Sequence, residues 1–103
     1  MRRVLVVDDE ENLRFVARSF LKRDGYEVET AESGEDALKL VQRFGPDVIL
    51  TDVRMPKMGG LDLLATLKAK GSDVTVIVMS AYGSFDLAIE AIKAGAYDYI
   101  QKP

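Results

Sequence analysis

The chain has 103 residues, room for one domain, and its 48% apolar and 30% charged residues exclude a disordered polymer. Seventeen acidic against fourteen basic residues give a net charge of -3, which excludes the basic footprint of a nucleic-acid-binding surface. Cysteine and histidine are both absent, which excludes disulfides and thiolate or imidazole chemistry, so any metal must be held by oxygen.

The N-terminal apolar run is too short for a signal peptide, and no stretch approaches the roughly 18 apolar residues of a membrane span. A cytoplasmic chain is expected. Arg3–Val7 (RVLVV) is short, β-branched and stopped by two acids, which predicts a buried strand. Leu13, Val16, Ala17, Phe20 and Leu21 then fall at helical spacing, and Gly25 closes that helix. Glu27–Ala31 reads as a second strand. Ser33 is an expected N-cap, with Asp36 three residues on as a weaker capping box. The helix it opens carries Ala37, Leu38, Val41 and Phe44, and Gly45-Pro46 stops it.

Asp47–Thr51 holds the apolar core of a third strand. The loop Asp52–Gly60 is rich in Met, Pro and Gly, and Leu61, Leu64 and Leu67 mark a third helix ending near Gly71. Val74–Met79 is the most continuous apolar run and predicts a central strand. Ser84 is expected to cap a helix whose Phe85, Ala88, Ile89 and Ile92 read as core, closed by Gly95. Tyr97–Gln101 is a fifth strand, followed by Lys102-Pro103. Strict alternation of five strands with four helices predicts an α/β fold with an open parallel sheet, whose ligands bind beyond the carboxyl ends of the strands.

Those ends carry the chemistry. Asp8, Asp9, Glu10 and Glu11 follow the first strand, Asp52 the third, Ser80 the fourth and Lys102 the fifth. Carboxylates brought together repel, and a divalent cation removes that cost; a hard, oxygen-only site suits Mg²⁺. A carboxylate beside Mg²⁺ can accept a phosphoryl group as an aspartyl-phosphate, with Lys102 supplying positive charge and Ser80 a donor. Singly, each feature has a plainer reading: acids at a helix N-terminus, an Asp in a turn, a capping hydroxyl, a surface lysine. It is the ordered set of four that favours the chemistry.

The segments VLVVDDEEN, DVILTDVRMPKMGGLDLL, VIVMSAYG and AIKAGAYDYIQKP resemble the response-regulator receiver family of two-component systems over the whole chain. The last two are most similar to receivers of the nitrogen-regulation type, which precede transcription-activating ATPase domains. The resemblance implies a flavodoxin-like fold of strand order 2-1-3-4-5. It implies phosphorylation of Asp52 by a sensor histidine kinase, with Asp9, Asp52 and the backbone carbonyl of Arg54 on Mg²⁺ and Asp8 helping through water. Ser80 and Lys102 would engage the phosphoryl group and Tyr99 would turn inward, changing the surface of the fourth helix and fifth strand that an output domain reads. Arg54, Ala81 and Tyr82 stand where the family tunes dephosphorylation, and Lys102-Pro103 would be a cis peptide. Met55-Pro56 and Gly59-Gly60 read mainly as turn chemistry.

Receivers of this family continue past Lys-Pro with one more helix. The resemblance therefore implies that residues 1–103 are a receiver domain truncated before its last helix, a piece of a longer regulator. Part of one apolar sheet face would then lie open, and such patches find partners, so a homodimer or swapped assembly is expected. Two rivals differ in class. A haloacid-dehalogenase-type phosphatase places its nucleophile after the first strand with a second Asp two residues later, where this chain has Glu10 after Asp8. A pseudo-receiver would have the fold without the phosphate chemistry.

Overall fold

The computed structural model describes residues 2–81 and 85–102. In chain order it contains β1 (Arg3–Val7), α1 (Glu11–Arg23), β2 (Glu27–Ala31), α2 (Gly34–Phe44), β3 (Val48–Asp52), α3 (Gly60–Ala69), β4 (Thr75–Ser80), α4 (Phe85–Lys93) and β5 (Asp98–Gln101). The strands form one parallel sheet in the order β2-β1-β3-β4-β5, as the resemblance implied. Local signals set most boundaries. Ser33 Oγ accepts a hydrogen bond from Asp36 N–H at 3.1 Å and starts α2. Gly25, Gly45, Gly71 and Gly95, the four glycines expected at helix ends, all have positive φ. The expected cap Ser84 lies outside the described residues.

Strand β3 runs one residue further than expected, so Asp52 is its last residue rather than the first of the loop, and β4 ends at Ser80, one residue past its apolar run. The ladder explains the extension. Asp52 pairs with Met79, and Ser80 with Gln101. Asp47, expected in β3, instead closes the turn before it by accepting Arg3 N–H on its carboxylate at 2.8 Å.

Alternation along β1 divides the interior in two. Leu5 and Val7 join Ile49, Val76 and Val78 under α2, α3 and α4, with Ala37, Leu63, Leu64, Leu67 and Ala91. Each fully buried Leu or Ile there contributes roughly 1.5–3 kcal/mol. Val4 and Val6 face the other way, against Val28 and the half-buried Ala17 and Leu21 of α1. That second layer is thin. The apolar stripe expected to bury α1 is only partly used: Val16 is 48% and Phe20 57% exposed, and no residue of the helix is fully buried. The reason is geometric, since α1 packs chiefly on β1 and β2 and leaves much of the same face of β3, β4 and β5 open, although Met79 is buried. Leu50 and Ile77 are half-buried there and Ile100 is exposed.

A second correction concerns α4. Ile89 and Ile92, expected in the core, are exposed, while Ala91 is fully buried. Ala91 is the residue of the helix that joins the larger core, Leu87 and Ala88 are half-buried, and the isoleucines lie on the flank. Among the described residues, no helix is long and apolar enough to cross a membrane.

Candidate functional site

The register of the sheet assembles the site. Val7 pairs with Thr51, so the next residues, Asp8 and Asp52, emerge side by side from adjacent strands. Asp52 pairs with Met79, which puts Ser80 one step beyond on β4, and Ser80 pairs with Gln101, which delivers Lys102. Carboxylate oxygens of Asp8, Asp9 and Asp52 all lie within 4.8 Å of one another. Lys102 Nζ sits 2.7 Å from Asp8 Oδ2 and 3.3 Å from Asp52 Oδ2. A cleft of about 170 Å³ opens over the group, lined by Asp9, Glu10, Asp52, Arg54, Ser80, Ala81 and Lys102.

Burial differs sharply within the acid cluster. Asp8 is fully buried, Asp52 nearly so, and Asp9 exposed. Asp8 is held firmly: its Oδ1 accepts Glu10 N–H at 2.9 Å, its own N–H donates to the Ala31 carbonyl, and its carbonyl accepts Arg14 Nη1 at 2.7 Å. Burial raises the carboxyl of Asp52 above the ordinary 3.8, and the charge of Asp8 pushes it further, while Lys102 pulls the other way. For Lys102, burial opposes the ammonium, yet its hydrogen bond to Asp8 and the charges of Asp52 and Asp8 outweigh that, and the net shift is upward from 10.5. Desolvated carboxylates sharing one lysine keep an excess of negative charge, which a bound cation would offset. The donor set is oxygen-only, as a hard metal requires.

The loop after Asp52 folds back on the strand it leaves. Gly60 N–H donates to the Val53 carbonyl at 3.0 Å, and Val53 N–H to that of Met79 at 3.0 Å. Neither Gly59 nor Gly60 has positive φ; Lys57 does, at 66°. The glycine pair is therefore not simple turn chemistry, contrary to expectation. A Cβ on Gly60 would overlap the Asp52 carbonyl oxygen, and one on Gly59 would lie 2.5 Å from that of Val53. These glycines let α3 begin directly against the end of β3.

Of the other expected residues, Ser80 is buried at the strand end, where its carbonyl accepts Lys102 N–H at 2.9 Å. Arg54 and Ala81 are exposed at the cleft. Tyr99 already packs against the larger core, and its buried hydroxyl has no hydrogen-bond partner among the described residues. Tyr82 and the Lys102–Pro103 peptide bond lie outside the described residues. Two contributors went unnoticed in the sequence. Arg14 braces the Asp8 turn, and fully buried Thr51 donates its hydroxyl to the Asp52 carbonyl at 3.0 Å. The signal for Thr51 was a hydroxyl inside an otherwise apolar strand, and for Arg14 a cation one helical turn after the acids.

The chain is similar to known proteins. The response regulator receiver domain profile matches residues 4–103. The regulatory protein AtoC of Escherichia coli (strain K12) is 39% identical over 103 residues, which is 100% of this chain and 22% of that protein. The DNA-binding transcriptional regulator NtrC of Proteus hauseri is 40% identical over 100 residues, 97% of this chain and 21% of that one. The chain thus spans about a fifth of the length of these relatives. The beryllofluoride-activated NtrC4 receiver domain dimer superposes with a TM-score of 0.92 at 40% identity, covering 100% of this chain and 85% of that one. The chain belongs to the response regulator receiver domain family of two-component systems.

Proposed function

We propose that this chain is a phosphoacceptor switch whose acceptor is Asp52. One observation carries the reading: a nearly buried carboxylate at the end of a central strand, 3.3 Å from a lysine, with two further carboxylates within 4.8 Å. An Asp52 carboxylate oxygen attacks the phosphorus of a phosphohistidine on a sensor histidine kinase. The new P–O bond forms as the P–N bond breaks, and the electron pair stays on the imidazole nitrogen. Asp9, Asp52 and the Arg54 backbone carbonyl would hold Mg²⁺, with Asp8 bonded through water. Bound there, Mg²⁺ would offset the negative charge of the phosphoryl oxygens and the acids.

Lys102 turns from its two carboxylates toward the new oxygens, and Ser80 donates to them. Tyr99 follows Ser80, which alters the α4–β5 surface. Hydrolysis of the acyl phosphate resets the switch, at a rate set by Arg54 and Ala81 at the cleft and by Tyr82. The chain is in this sense no separate enzyme, but it catalyses its own phosphorylation and dephosphorylation.

We further infer that this receiver unit works within a longer regulator in the cytoplasm. The chain's span of about a fifth of AtoC and NtrC supports this. The partners would be a histidine kinase and an output domain of the ATPase and DNA-binding kind, since AtoC and NtrC are regulators. Pairing with a second copy is supported by the NtrC4 receiver dimer. The phosphatase alternative finds no support, because Asp8, where that nucleophile would stand, has both oxygens engaged by Glu10 N–H and Lys102.

Intact mass after treatment with acetyl phosphate tests the reading. Gain of one phosphoryl group by the wild type, only with Mg²⁺ and not in Asp52→Asn, is expected. Equal gain by Asp52→Asn, or none by a folded wild type, overturns it.

A further inference from the structure

The loop that carries Arg54 is tied at one end to β3 and at the other to α3, and its middle rests on a different helix. Met58, half-buried against the larger core, sits over Gly34, the buried first residue of α2. The fit leaves no room for a side chain. A Cβ built on Gly34 would lie 2.5 Å from Met58 Cγ, 2.8 Å from Sδ and 2.9 Å from Cβ. A rotamer change can move Cγ and Sδ, but the Met58 Cβ moves only with the backbone. Gly34 has no positive φ, so conformation does not require glycine there; the contact does.

We propose that Gly34 is a positioning residue for the loop after Asp52: by presenting bare backbone to Met58 it seats that loop on α2 and sets where Arg54 meets the cleft that Asp9 and Asp52 line. The link is short in both directions. Gly34 follows Ser33, whose hydroxyl starts α2, and Ser33 follows β2, whose Ala31 carbonyl binds Asp8 N–H. From Met58 the chain passes through Gly59 to Gly60, whose N–H is bonded to the Val53 carbonyl. One contact therefore registers the loop against the strand ends that carry Asp8 and Asp52. Displacement by a fraction of an ångström matters there, because ligand oxygens and a phosphoryl acceptor work only within narrow geometry.

The functional part of this inference rests on Asp52 being the acceptor; the structural part does not. The test compares wild type, Gly34→Ala, Met58→Ala and the double variant by amide hydrogen exchange in metal-free buffer, and by the rate of Mg²⁺-dependent phosphorylation from acetyl phosphate. Gly34→Ala should speed exchange of the Gly60 amide and slow phosphorylation, each by roughly tenfold, while the amides of Leu5 and Ile49 keep their protection. Met58→Ala, which adds no atom, should show a smaller change in the same direction. The double variant should show less than the product of both effects, since the contacts with Cγ and Sδ are gone while the 2.9 Å approach to the Cβ at position 58 remains.

Unchanged Gly60 exchange in Gly34→Ala overturns the proposal, as do multiplying effects in the double variant or equal acceleration at Leu5 and Ile49. If Gly34→Ala does not fold, Gly60 exchange in Met58→Ala decides: acceleration confined to the loop supports the seat, and none refutes it. A wild type that takes no phosphoryl group refutes the acceptor reading, while the exchange data still decide the role of Gly34.

Discussion

The ammonium of Lys102 is held more closely by Asp8, at 2.7 Å, than by Asp52, at 3.3 Å. Asp8 is fully buried and braced from three sides, whereas Asp52 opens onto the cleft. The lysine is thus an internal counter-ion parked on the fixed acid and within reach of the one that faces the cleft.

Removal of that counter-ion should expose the repulsion it masks. Lys102→Met is expected to cost about 2–3 kcal/mol in urea denaturation with chelator present, somewhat below the loss typical when a fully buried pair is broken. Mg²⁺ should recover part of the loss by supplying charge to the same carboxylates. An equal loss with and without Mg²⁺ would contradict the shared-site argument.

The two shifted groups act in separate pH windows. Asp52 has a folded pKa above its ordinary 3.8, so its contribution to stability is full below that value and is lost as pH rises through the folded pKa. In chelator, Asp52→Asn should therefore melt a few degrees above wild type at neutral pH, with the gap closing toward pH 3.8. Lys102 is also raised, so its contribution is full below 10.5 and is lost as pH climbs through the higher folded value. A gap that widens on acidification would reverse the assignment for Asp52.

Gly60→Ala should be among the most damaging small changes in the chain. The new methyl overlaps a main-chain carbonyl, which no rotamer can relieve, and a cost of about 2–3 kcal/mol follows from forcing the start of α3 off the end of β3. Phosphorylation by acetyl phosphate should fall with it. A denaturation midpoint unchanged from wild type would show that the close approach is not required.

Tyr99→Phe removes a buried hydroxyl that has no partner among the described residues. Since an unmet buried donor costs about 1–3 kcal/mol, the unphosphorylated variant should gain about 1 kcal/mol in equilibrium unfolding. A loss of similar size would show that the hydroxyl is bonded in solution.

The uncovered side of the sheet should make the chain sticky. Phe20→Ser and Ile100→Lys, at two exposed apolar positions, are expected to lower the sedimentation-averaged mass at high concentration. A wild type that sediments as a monomer throughout the concentration range would count against that surface as a contact.

What could be read in advance was what is written locally. The β-branched run before Asp8, the Ser33 cap and the glycines at helix ends act through neighbours in the chain, and the observed elements follow them. Site residues were legible because parallel strands in register deliver their ends to one edge, so Asp8, Asp52, Ser80 and Lys102 could be placed by order alone. Tertiary contacts were not legible. Gly59 and Gly60 looked like turn residues because nothing nearby in sequence reports the Val53 and Asp52 carbonyls they touch. The stripes of α1 and α4 gave helical period but not how far each helix reaches across the sheet, so Phe20, Ile89 and Ile92 were expected inside and lie exposed. Tyr99 looked like an edge-strand aromatic in sequence, and its packing against the larger core depends on contacts from other elements.

Lys102 and Ser80 share one main-chain hydrogen bond, N–H to carbonyl at 2.9 Å. The strand end that brings the hydroxyl and the residue that brings the ammonium are therefore yoked through their backbones, like two pans hung from one beam. A tug on the Lys102 end of β5 is felt at the end of β4 with no side chain in between. With the Val53 N–H to Met79 carbonyl bond behind it, the edge of the sheet would respond as a single lever, two peptide links leading from the end of β3 to the rim.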